Sequence, residues 1–196
     1  MRAFARTGLF FYNPAMNLVV GFAPFILFAF LSRLSADLAL WMAFAAAFIV
    51  TIRDFVESPS LRLLDVGSLV LFALLALVRG FLDPNMSLAA VRFIAALALF
   101  LLLAIPLALK RPFSVDYARL DPKEKDWPPE LFLRVNYLVS GAWVAAFAVM
   151  ALADGAVTFS PELPLYASVA VSVVALAAAV TFTLRYPTLA AKRASS

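Results

Sequence analysis

Of the chain's 196 residues, 65% are hydrophobic and 14% charged, and the mean hydropathy is +0.97. A soluble globular domain, about a quarter charged, is excluded, and an all-α integral membrane protein is indicated. The absence of cysteine and histidine excludes disulfides, thiolate and imidazole ligands and a histidine base, so no cofactor or metal is expected.

Along the chain, Phe4, Leu9, Phe10, Phe11 and Tyr12 interleave with Arg2 and Arg6 and end at Asn13-Pro14. Residues 1–14 therefore read as a short amphipathic helix at the headgroups. Six apolar stretches follow, over about 15–32, 36–52, 63–78, 87–109, 135–153 and 165–184, each long enough to cross a hydrocarbon core of about 30 Å. They are continuous rather than alternating, which argues against a β-barrel. The first reads as an uncleaved signal anchor, since Arg33 lies where a cleavage region is neutral. Pro24 and Pro106 each remove a backbone hydrogen bond inside a span and are expected to kink it.

Turns are expected at Ser32-Arg33-Leu34-Ser35, between Arg79 and Asn85, and at Asp154-Gly155 with Ser160-Pro161. Thirteen of the sixteen Lys and Arg residues fall in the amino-terminal segment, the second-to-third connection, the loop 110–134 and the basic tail 185–196; Arg33 and Arg79 lie on the other side, and Arg92 inside a span. The positive-inside rule then makes both termini and the long loop cytoplasmic, giving a six-helix N-in/C-in bundle. Basic residues so placed orient a membrane protein, and no nucleic-acid site is read from the net charge of +4.

The loop 110–134 is the one sizeable polar segment. Asp121-Pro122-Lys123-Glu124 resembles a capped helix start, and Asp126-Trp127-Pro128-Pro129-Glu130 repeats the signal ahead of the fifth span. Phe113, Tyr117 and Trp127 are expected on the membrane surface. Lys110, Arg111, Asp116, Tyr117, Arg119, Lys123, Lys125 and Trp127 form the candidate contact for a partner or for anionic lipid headgroups.

Charges inside spans are functional suspects. Asp37 opens the second span, Asp65 opens the third near Arg62, and Arg92 lies early in the fourth. The topology brings Asp37, Asp83 and Arg92 towards the outer interface, where they either form a polar cluster or Arg92 snorkels outward. No carboxylate is expected at mid-membrane, which disfavours a proton- or cation-driven carrier. The small residues Ala43, Ala45, Ala46 and Ala47, then Ser140, Gly141 and Ala142, then Ala175, Ala177, Ala178 and Ala179 permit close helix packing and, as a second use, homo-oligomers. Serines without histidine, only 6 glycines and no acidic cluster leave no catalytic constellation. A lipid-modifying role for Asp116, Tyr117 and Arg119 is the enzymatic alternative.

The Phe-rich first span from Phe22 through Pro24, Phe25 and Phe28 to Phe30, Asp37 opening the second, and Lys110-Arg111-Pro112-Phe113 after the fourth resemble the bacterial intracellular septation protein A family. The stretch from Pro112 to Arg119, with Asn136 and Trp143, is similar to a pattern in relatives of that group. The chain differs from the family in its amphipathic start, its longer loop and its sixth span. The resemblance implies an inner-membrane, noncatalytic, partner-binding protein linked to cell division or envelope growth, and it supplies no catalytic residues. The expectation is therefore an organising or accessory protein of the bacterial envelope. The alternative is a small transporter or channel with a pathway near Asp37 and Arg92.

Overall fold

The computed structural model describes residues 14–57, 62–118, 127–160 and 162–194, all helices and turns, with no strand among them. The amphipathic start 1–13, the capped sequence at Asp121, and Arg119, Lys123 and Lys125 lie outside the described residues. Among the described residues, five helices are long and apolar enough to cross a membrane. They are α3 (Ala36–Glu57), α4 (Leu63–Leu77) with a π-helical continuation over Val78–Leu82, α5 (Leu88–Ala108), α7 (Pro129–Phe159) and α8 (Leu165–Ala194). This is the architecture of a multi-pass helical membrane protein.

The first expected span is two consecutive shorter helices, α1 (Pro14–Gly21) and α2 (Ala23–Leu31), broken at Phe22. Pro24, second residue of α2, has no N–H to offer the preceding turn, so the ladder breaks next to it, as its position in the sequence implies. The break aims Phe22 into the centre of the protein. Its ring is wholly buried and stacks on Trp143 of α7, with centroids 3.6 Å apart and planes 9° from parallel. Phe25, Phe72, Phe113 and Phe147 complete this aromatic core.

Pro106 acts at a helix end. It lies in the last turn of α5, where its carbonyl accepts the Arg111 amide (2.8 Å) while the Lys110 amide reaches the Leu107 carbonyl (3.0 Å). This double closure puts Lys110 at φ 60°, a left-handed position usually held by glycine. The chain then turns back into the bundle through Pro112 and the one-turn helix α6 (Val115–Ala118).

α7 is the central helix, packed along α5 on one side and α8 on the other, while α3 packs with α2 and α4. It runs six residues past the expected boundary at 153, straight through Asp154-Gly155. Two packing interactions remove the expected turn. The Asp154 carboxylate is paired inside the bundle, and Gly155 lies so close to the Phe93 ring that a Cβ there would come within 3.0 Å of it. α3 likewise continues past 52 to Glu57, and α8 continues through Pro187 into the segment read as a tail. Ala43, Ala47 and Ala179 are buried at helix contacts, the use expected of small residues.

Candidate functional site

Two buried polar clusters form at opposite ends of the helices. At the first, Arg92 of α5 is 2% exposed and uses each of its three nitrogens. Its Nε donates to Asp154 Oδ1 of α7 (3.0 Å), one terminal nitrogen to Ser32 Oγ at the end of α2 (3.0 Å), and the other to Ser172 Oγ of α8 (2.9 Å). Four helices meet on one guanidinium. A charge this deep is tolerated because it is both paired and hydrogen-bonded; the same group without its carboxylate would be strongly destabilising.

This geometry corrects two expectations. Arg92 does not snorkel, because its donors are satisfied inside the bundle, and it does not join Asp37 and Asp83. Asp37 is instead paired with Arg79 (2.7 Å), whose guanidinium also donates to the Met86 carbonyl. Asp83 is exposed in the turn after the π-helical segment. The topology brings all three towards one end, but the side chain facing Arg92 is Asp154 of α7, the first residue beyond the span expected to end at 153.

At the second end, Arg62 is buried at the start of α4 and pairs with Asp54 of α3, which Arg53 also contacts. The Arg62 guanidinium lies over the Tyr117 ring, 4.6 Å from its centroid. Tyr117 donates its phenolic proton to Asp65 Oδ1 (2.9 Å). Desolvation first, and the negative charge of Asp65 second, hold the Tyr117 pKa well above that of ordinary tyrosine. Next to it, Ser114 donates to Asn136 Oδ1 (2.7 Å) and accepts from Ser140 (3.0 Å), both on α7. Gly21 leaves room for this arrangement, since a Cβ there would stand 2.9 Å from the Tyr117 hydroxyl.

Phe113 and Tyr117, expected on the membrane surface, are therefore buried, 3% and 2% exposed. Each has an interior partner, Phe22 for one ring and Asp65 for the other hydroxyl, and burial satisfies both halves of the side chain. Tyr117 is thus an anchor and no surface contact. Lys110, Arg111 and Asp116 remain exposed, and Trp127 is half-buried against the core. Beside them opens a cavity of about 740 Å³ between the end of α5, the 110–116 segment and the start of α7.

Asp54 and Ser172 carry no signal of their own in the sequence, and Ser32 and Asp154 are expected there only as turn residues. A readable signal existed on α7, where Asn136, Ser140, Trp143, Phe147, Met150 and Asp154 recur at three- and four-residue spacing and line one buried face. On α8 the corresponding stripe is Ser168, Ser172, Leu176, Ala179 and Thr183. The two stripes meet where Trp143 Nε1 donates to Thr183 Oγ1 (2.9 Å).

Fold and clusters together define a multi-pass helical membrane protein pinned by internal ion pairs. No family model matches the chain, and no curated protein or solved structure matches it.

Proposed function

We propose that the chain is a noncatalytic organising or accessory protein of the bacterial inner membrane, similar to the septation protein A group, with the Tyr117 end as its cytoplasmic contact surface. In this reading α1 and α2 together make a sixth span, and both termini lie in the cytoplasm. One observation carries it. The segment after α5 is fastened into the bundle by Phe113, Ser114 and Tyr117, which leaves Lys110, Arg111 and Asp116 exposed on an ordered platform. The ionisable groups in the interior are meanwhile occupied with one another, a use that fits scaffolding better than chemistry.

The test is in-cell crosslinking and affinity capture of the tagged protein, comparing wild type with a variant carrying Arg119→Gln, Lys123→Gln and Lys125→Gln. Recovery of division or wall-synthesis membrane proteins, lost in the variant while expression and melting temperature hold, is the expected result. Equal recovery with both chains would overturn the assignment.

A further inference from the structure

We propose that the cavity beside the Tyr117 end holds a single anionic phospholipid, with one acyl chain along α5 and the headgroup phosphate on Lys110 and Arg111. The proposal deepens the contact role given above and rests on it for placing this end at a leaflet surface. At about 740 Å³ the cavity falls within the range of roughly 300–1,000 Å³ typical of small-molecule sites. Its walls include Leu63, Leu101, Ile105, Leu109 and Leu133, all large apolar side chains that the protein leaves exposed. They make a concave channel, bounded at one end by the Pro112–Val115 turn, rather than the convex face that annular lipid covers.

Charge at the mouth selects the occupant. Lys110 and Arg111 both line it and both are exposed, and neither makes a side-chain ion pair among the described residues. Asp116 also lines the cavity, so the charged lining residues are two cations and one carboxylate. The left-handed backbone at Lys110 holds these consecutive cations where the chain leaves α5, next to the apolar wall formed by Leu101, Ile105 and Leu109. A second groove, about 630 Å³ between α7 and α8, provides the contrast. It is lined by alanine, valine and phenylalanine with no charged residue, and so cannot distinguish one headgroup from another.

Native mass spectrometry of the purified full-length protein in mild detergent, titrated with dioleoyl phosphatidylglycerol or dioleoyl phosphatidylcholine, tests the proposal. Wild type is expected to retain one phosphatidylglycerol about tenfold more strongly than phosphatidylcholine, a preference that Lys110→Gln with Arg111→Gln abolishes. Leu101→Trp, which fills the channel and keeps both cations, should weaken phosphatidylglycerol binding as well. Arg185→Gln, a charge removed elsewhere, should leave it intact. Equal retention of the two lipids by wild type, or an undiminished preference in the double Gln variant, would overturn the site. Loss of lipid preference with partner capture intact would defeat this inference alone; intact lipid preference with no captured partner would defeat the organising role alone.

Discussion

The Arg92 cluster and the Tyr117 cluster use the same chemistry over different distances in the chain. Arg92 draws Ser32, Asp154 and Ser172 from three other segments, 60, 62 and 80 residues away, so its bonds form only when the whole bundle does. Arg53, Asp54, Arg62 and Asp65 belong to one hairpin, and Tyr117 reaches Asp65 from 52 residues away. The first cluster has one carboxylate for one cation and nothing in reserve. The second shares Asp54 between two arginines, one of them about a third exposed, and the Arg62 Nε has no hydrogen-bond partner among the described residues. One end is a closed strut and the other leaves a donor unsatisfied, the less saturated of the two being the end where the contact surface is proposed.

The sharpest way to break this contrast is Arg92→Leu, which leaves Asp154 buried without a counter-ion. It should destabilise by about 3–5 kcal/mol, and adding Asp154→Leu should restore most of the loss. Thermal unfolding followed by tryptophan fluorescence reads both, and a double variant no better than the single would show that the pair is not the strut described. Arg62→Leu should cost less, about 2 kcal/mol, because Arg53 still faces Asp54; a loss equal to that of Arg92→Leu would erase the distinction between the ends. Tyr117→Phe keeps the ring under Arg62 and removes only the hydrogen bond to Asp65, for about 1.5 kcal/mol. Faster hydrogen exchange at residues 112–118 should accompany it, and unchanged exchange there would mean the hydroxyl does not seat the segment.

The smallest effect is a pH dependence. Because the folded-state pKa of Tyr117 is raised, the folded protein holds this proton more tightly than the unfolded chain does. Its contribution is complete below about pH 10, the ordinary tyrosine value, and is lost as pH rises from there towards the folded value. Near-ultraviolet difference spectra at about pH 10.5 should show wild type and Tyr117→Phe with equal tyrosinate signals, and a larger wild-type signal would mean an ordinary phenol.

The helical membrane class was legible because composition and run length suffice for it, and the positions of α3, α4, α5, α7 and α8 follow from the apolar runs. Helix ends were less legible. Asp154-Gly155 has the composition of a turn, and the helix continues through it because Arg92 pairs with Asp154 and Phe93 packs on Gly155, both from α5. Partner choice was hidden for the same reason. Counting spans places Arg92 near the level of Asp37, but rotation about the helix axis decides that Arg79 takes Asp37 while Arg92 takes Asp154. Phe113 and Tyr117 looked interfacial because amphipathic aromatics commonly are. Burial of Phe113 depends on the Phe22 ring, and that of Tyr117 on the gap left by Gly21 and on Asp65, none of which is adjacent in sequence.

The proposed role depends most directly on which way the Tyr117 end faces. The cysteine-free sequence allows single reporters without background. Arg111→Cys, Asn85→Cys and Glu162→Cys, at three exposed positions, would each be treated in intact cells with a membrane-impermeant maleimide. A cytoplasmic Tyr117 end predicts labelling at 85 and 162 in intact cells, and at 111 only after permeabilisation. Labelling at 111 in intact cells, with 85 and 162 protected, would contradict it by turning the contact surface away from the cytoplasm.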